Sequence, residues 1–179
     1  HTIFKCDWSS DVCSSDLIKE FFNQGWNKGS NEQKDLVAPN IRLMIKVSNQ
    51  IITWIAHEIL RQPSASARTK AIGKAIQIAI LLNEKNNFNG VKEITAGLCL
   101  SSIQRLKKAW SAVKPKFKQA YNDLTDKVAN MQSLRNLPHS VNPPLVPYLG
   151  VYLTDLVFIE DGNPNTFEED GLTFINFRK

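Results

Sequence analysis

The chain is poor in cysteine, in glycine-rich segments and in long apolar runs. Three Cys, eight Gly and eight Pro in 179 residues leave no collagenous or low-complexity tract. No apolar run reaches the ~18 residues of a membrane span. The nearest, Tyr148 to Ile159, is short and carries Thr154 and Asp155. No Gly-rich loop with a following Lys is present, so the chain has no means of cradling a nucleotide phosphate by itself. Beyond the first residue the histidines are His57 and His139, far apart and without a second ligand at metal spacing. Cys99 has no CxxC partner and reads as a small buried hydrophobe. Membrane-spanning, fibrous and disordered classes are excluded, and no bond-breaking constellation, metal site or cofactor site is expected.

What is present is ordinary for a soluble globular chain: 42% hydrophobic and 22% charged residues. The first seventeen residues stand apart. Asp7 to Leu17 resembles, on back-translation, a common short-read sequencing adapter read in one frame, so residues 1–17 are expected to be an artefactual or disordered tail. Without Lys5, Asp7, Asp11 and Asp16 the balance of 22 basic to 17 acidic residues becomes 21 to 14. Only Cys99 then remains, which points to a reducing, cytoplasmic setting. The densest basic set, Arg105 to Lys118, alternates with Ala109, Trp110, Val113 and Phe117. It reads as a solvated helix face, and nucleic acid is not expected as a partner.

Helical periodicity dominates. From Pro39, Ile41, Met44, Ile45, Ile52, Ile55 and Ile59 recur at three- and four-residue steps up to Gln62-Pro63. Thr69 to Asn83 and Val91 to Leu98 follow, and Ser102 reads as the N-cap of a helix from Ile103 to Val113. Pro115 opens a segment whose Phe117, Tyr121, Leu124, Val128 and Met131 share one stripe. Arg135 to Pro147 is proline-rich and predicts a loop. A last apolar helix runs to about Glu160, where Gly162-Asn163-Pro164 stops it. No strand alternation of useful length appears, so the expectation is one all-α domain.

Three stretches resemble the catalytic domain of Ras-family guanine-nucleotide exchange factors. The first is Glu84-Lys-Asn-Asn-Phe-Asn-Gly-Val-Lys-Glu-Ile-Thr-Ala-Gly-Leu98 with Ser101-Ser-Ile-Gln-Arg-Leu-Lys-Lys-Ala-Trp110. The second is Asn142-Pro-Pro-Leu-Val-Pro-Tyr-Leu-Gly-Val-Tyr-Leu-Thr-Asp-Leu156 with Glu160-Asp-Gly-Asn-Pro164. The third runs from Glu169-Asp-Gly-Leu172 to Ile175-Asn-Phe177, and Trp26 and Ala38-Pro-Asn-Ile41 match an earlier block. The resemblance covers residues 18–179.

It implies a single irregular all-α domain with a protruding helical hairpin that wedges a small GTPase open and ejects GDP. The partner implied is a Ras-family GTPase, GDP-bound or nucleotide-free, with no cofactor and no direct membrane insertion; recruitment to a membrane would fall to flanking domains. The first hairpin helix corresponds to Pro147–Glu160. On it Leu149, Tyr152, Leu153, Leu156 and Ile159 make an apolar face suited to docking, while Gly150, Thr154, Val157 and Asp161 form a separate stripe. The resemblance gives Val157 the role of blocking the magnesium and Asp161 that of competing with phosphate, with Thr154 beside them. Asp161 is one methylene shorter than the family's usual Glu. The positions matching the GTPase pocket are Lys46, Lys92, Cys99, Met131 and Tyr148, with Tyr148 as aromatic anchor. Cys99 replaces an Asn and lacks its amide donors and acceptor, and Lys92 replaces a Leu of some members. A non-catalytic, GTPase-binding scaffold is the alternative. The second hairpin helix, due near Ile175, and a first helix upstream are expected to be missing. A fragment so cut is expected to exchange poorly and to aggregate.

Overall fold

A computed structural model describes residues 14–177, with side chains from Ile18 onward. Residues 1–13 of the expected foreign tail lie outside the described residues, while Ser14 to Leu17 belong to the first helix. The described elements are helices α1 (Ser14–Phe21), α2 (Asn31–Val37), α3 (Pro39–Leu60), α4 (Ala65–Glu84), α5 (Phe88–Cys99), α6 (Ser101–Gln104), α7 (Lys107–Ser111), α8 (Pro115–Lys127), α9 (Met131–Asn136) and α10 (Leu149–Gly162). Two short strands follow, β1 (Thr166–Glu169) and β2 (Leu172–Ile175). The all-α expectation holds. Two compact units are present, one made of residues up to Lys46 and from Thr154 onward, the other of Val47–Leu153.

The Val47–Leu153 unit owns the larger core. Ile55, Ile59, Ile72, Ile76, Val91, Leu98, Ile103, Val128 and Val151 are all buried in one cluster. The first six of these are periodic apolar positions of α3, α4 and α5, and burying such stripes supplies most of a helix's stability in a protein. α5 crosses α3 closely at Gly97, where a Cβ would stand 3.0 Å from the carbonyl oxygen of Ile52 and 3.1 Å from Ile55. The start of α5 is fixed by Asn87, whose Oδ1 accepts from Gly90 N at 2.9 Å.

The smaller unit is tied together by polar groups. Ser30 and Gln33 form a reciprocal capping box at α2. Glu20, buried, reaches the start of α3: its carboxylate accepts from Asn40 N at 3.2 Å, Asn40 Nδ2 at 2.6 Å and Ile41 N at 2.8 Å. Pro39 has no N–H, so Asn40 and Ile41 carry the first unclaimed amides of α3, and a carboxylate there also complements the helix dipole.

Several sequence expectations need correction. The helix expected from Ile103 to Val113 is two helices, α6 and α7, broken at Leu106 (φ −75°, ψ 57°). The break frees the Ile103 carbonyl for Trp110 Nε1 at 3.0 Å and brings Ile103, Ala109 and Val113 all into the core. Ser102 therefore lies inside α6 and does not cap it. The stripe from Phe117 to Met131 is also divided: α8 ends at Lys127, and Asn130 caps α9 by accepting from Ser133 N at 2.7 Å. The expected loop from Arg135 therefore begins inside α9. A β-hairpin, not foreseen, joins β1 to β2 through Asp170 (φ 53°) and Gly171 (φ 77°), the paired positive φ of a type I′ turn. All eight strand residues are exposed, so neither face was patterned by burial.

The expected docking face of α10 is corrected as well. Val151 and Leu153 are buried, but Tyr152 and Ile159 of that face are exposed, as is Phe158. α10 is apolar on nearly every side, so its periodicity does not single out the side that packs.

Candidate functional site

Thr154, Val157 and Asp161 stand three and four residues apart on α10, so all three share one side of it. Thr154 and Val157 are half-buried, and Asp161 is exposed in the last turn. Asp161 is not a bare carboxylate. Its Oδ1 accepts from Gln24 Nε2 at 2.9 Å and faces Lys28 Nζ at 3.3 Å. Gln24 is itself buried, and both it (φ 55°) and Asn23 (φ 51°) sit in the left-handed region. Non-glycine residues pay for that conformation, and such strain collects where a side chain must be aimed. Gln24 and Lys28 lie 137 and 133 residues from Asp161 in the chain, and no local pattern signals such a pairing.

The other candidates fall in the Val47–Leu153 unit, apart from Lys46, which is exposed on α3. Lys92 and Cys99 project from α5 into one concavity of about 320 Å³, shared with Thr95, Ala96, Thr125 and Val128. Lys92 Nζ donates to the carbonyl of Val128, at the end of α8, at 2.8 Å and stands 6.0 Å from the centroid of the Tyr148 ring. The lysine thus closes α8 and stands over the Tyr148 ring. Tyr148 curls back over the start of α10: a Cβ at position 150 would meet its Cζ at 2.5 Å, so only glycine fits there. Tyr148 and Met131 are half-buried against the core, and Met131 opens α9 without lining the concavity.

Cys99 overturns the expectation of a buried hydrophobe: it is exposed. It is the last residue of α5, beyond the buried Gly97-Leu98 pair. Its Sγ lies 3.1 Å from Tyr121 Oη, which also accepts from Gln104 Nε2 at 3.3 Å. Burial raises the Tyr121 phenol well above its ordinary value near 10, and the neighbouring thiol raises it further. The Tyr121 ring packs 5.2 Å from that of Trp110. Sequence reading did not single out Tyr121, which appeared only as one residue of a helical stripe.

Among the described residues no cluster of three or more His, Cys, Asp or Glu is placed to hold a metal, and no helix is long and apolar enough to cross a membrane.

An all-helical body carrying an α10 of this sequence belongs to a recognised class: residues 8–179 match the RasGEF domain, and the chain is a member of that family. Among its relatives is the mouse protein named Ras-specific guanine nucleotide-releasing factor 1, 42% identical over 171 residues, covering 94% of this chain and 13% of the mouse protein. The human protein of that name is 41% identical over 164 residues, covering 90% of this chain and 12% of its own length. Ras guanine nucleotide exchange factor E of Dictyostelium discoideum is 40% identical over 163 residues, covering 88% and 15%. The chain therefore spans less than a sixth of each of these relatives.

Proposed function

We propose that this chain promotes release of GDP from a Ras-family small GTPase, with α10 as the wedge. The observation that carries the reading is the side of α10 that presents Thr154, half-buried Val157 and exposed Asp161, on a helix anchored through buried Val151 and Leu153. An apolar group one turn before a carboxylate suits a magnesium–phosphate site: Val157 fills the metal's space, and Asp161 competes with phosphate for its donors. The concavity holding Lys92 and Cys99, with Tyr148 beside Lys92 and with Met131, is the proposed GTPase-binding surface of the Val47–Leu153 unit, and Lys46 is proposed to add to binding from α3. No covalent step is required. A protein that binds the nucleotide-free GTPase more tightly than the loaded one lowers nucleotide affinity by the same factor.

The scaffold reading rests on two observations: Asp161 is already engaged by Gln24 and Lys28, and Cys99 offers a thiol turned to Tyr121. Capture of nucleotide-free Ras-family GTPase and release of fluorescent GDP, measured together, separate the two. The wedge reading expects faster release, with Val157→Ala or Asp161→Ala slowing it roughly tenfold, about 1.4 kcal/mol of coupling, while capture is retained. Capture with no acceleration by the unaltered chain favours the scaffold. Acceleration that neither substitution reduces removes α10 from the mechanism.

A further inference from the structure

The positive charge of this protein is not spread evenly. Residues 94–122 contain Arg105, Lys107, Lys108, Lys114, Lys116 and Lys118 and not one Asp or Glu. The rest of the chain holds the other 16 basic residues against all 17 acidic ones. The net charge of +5 therefore resides in this one segment, which runs from the second half of α5 through α6 and α7 into α8. Five of the six cations are exposed, and Lys118 is half-buried. Among the described residues none of the six has a carboxylate partner within ion-pair distance.

The placement opposes the local physics. Lys114 is the N-cap of α8, with no side-chain cap bond, and Lys116 and Lys118 lie in a first turn that contains no acidic residue. Cations at the positive end of a helix dipole are destabilising, and acids belong there. Lys118 recovers part of that cost by donating to the Ser111 carbonyl at 3.0 Å, and Lys116 by standing 5.1 Å from the centroid of the Phe117 ring; exposed Lys114 is the cation whose placement no internal contact explains. Lys107 and Lys118 also flank a depression of about 410 Å³ whose walls include Gln104 and Asn122. Lys118 Nζ and Gln104 Nε2 there already donate to the Ser111 carbonyl at 3.0 Å and the Leu98 carbonyl at 2.9 Å, so exposed Lys107 is the cation of this depression placed to meet an anion.

We propose that this α6–α8 face is a docking surface for an anionic phospholipid bilayer, lying on the headgroups without insertion. Two features favour lipid over nucleic acid. The aromatic rings of the segment, Trp110, Phe117 and Tyr121, are half-buried against the core, which limits the ring faces they offer for stacking on bases. Five of the six cations are lysines, point charges suited to a diffuse anionic surface rather than to forked, bidentate recognition. The proposal is independent of whether the chain exchanges nucleotide.

The test is co-sedimentation of the full chain with vesicles of phosphatidylcholine, alone and mixed with phosphatidylserine. Binding is expected only to the mixed vesicles and is expected to weaken as salt rises. Each exposed lysine lost should weaken it roughly fivefold, so Lys107→Gln with Lys108→Gln costs about 25-fold. Lys114→Gln with Lys116→Gln gives the same loss from a second part of the face. Lys34→Gln with Lys85→Gln, an equal charge change elsewhere, leaves binding within about twofold if the face and not the net charge matters. No binding to the mixed vesicles overturns the proposal, as does equal weakening by the control pair. Tighter binding to a uridine oligonucleotide, lost through the same lysines, assigns the face to nucleic acid and overturns the lipid.

Discussion

Replacing Glu20 tests the polar architecture of the smaller unit. This side chain is buried and its carboxylate accepts three hydrogen bonds, from Asn40 N, Asn40 Nδ2 and Ile41 N. Two of the donors are backbone amides at the start of α3. Glu20→Ala strips all three acceptors at once. Bonds to charged groups are each worth about 1.5–3 kcal/mol, and loss of a helix cap alone costs about 0.5–2 kcal/mol. Some of the exposed donors recover water, so the net loss is about 3 kcal/mol. For a chain of this size that lowers Tm by roughly 6–12 °C. Glu20→Gln keeps one acceptor oxygen and the side-chain volume, so it loses about half as much. The assay is thermal unfolding by circular dichroism, with amide hydrogen exchange at Asn40 and Ile41 to localise the effect. Faster exchange at those two amides must accompany the fall in Tm. Shifts below about 2 °C in both variants refute the cap as a source of stability. An equal loss for Gln and Ala shows that the negative charge, not the number of acceptors, is what counts.

Other outcomes follow from the remaining sites. Tyr121 has its pKa raised in the folded chain, so its contribution to stability is complete below the unfolded value near 10 and declines as pH rises above it. Ultraviolet titration of the folded chain should show the Tyr121 phenol, identified by its loss in Tyr121→Phe, ionising well above its ordinary value near 10; ionisation at that ordinary value contradicts its burial and its contact with Cys99. Lys28 and Asp161 are both more than half exposed, so Lys28→Ala should change stability by less than about 0.5 kcal/mol. Because it removes the cation facing Asp161, it should leave GDP release as fast or faster in the wedge reading. Slower release shows that Lys28 aims the carboxylate rather than competing for it.

Sequence and structure divide the information in a physically sensible way. The periodic apolar stripes of α3, α4 and α5 were legible because each helix meets the core through one side, and period 3.6 records that side directly. The breaks at Leu106 and at Val128 to Asn130 were not legible. They answer to distant demands: core positions for Ile103, Ala109 and Val113 together, a carbonyl for Trp110, and one for Lys92. The hairpin was hidden because its residues are exposed on both faces, leaving only Asp170-Gly171 as a signal.

For the site, the chain's own letters identified the family and placed Thr154, Val157 and Asp161 on one stripe, since a helix converts spacing into direction. They placed Lys92 and Cys99 on one helix seven residues apart, two turns along the same side, and the structure brings both to one concavity. What those side chains touch was decided only by tertiary structure. Asp161 meets Gln24 and Lys28 across more than 130 residues, Cys99 meets Tyr121 rather than the core, and Lys92 spans Val128 and Tyr148. Local spacing orients a side chain on its own helix. Its partners are set by where the other helices come to rest.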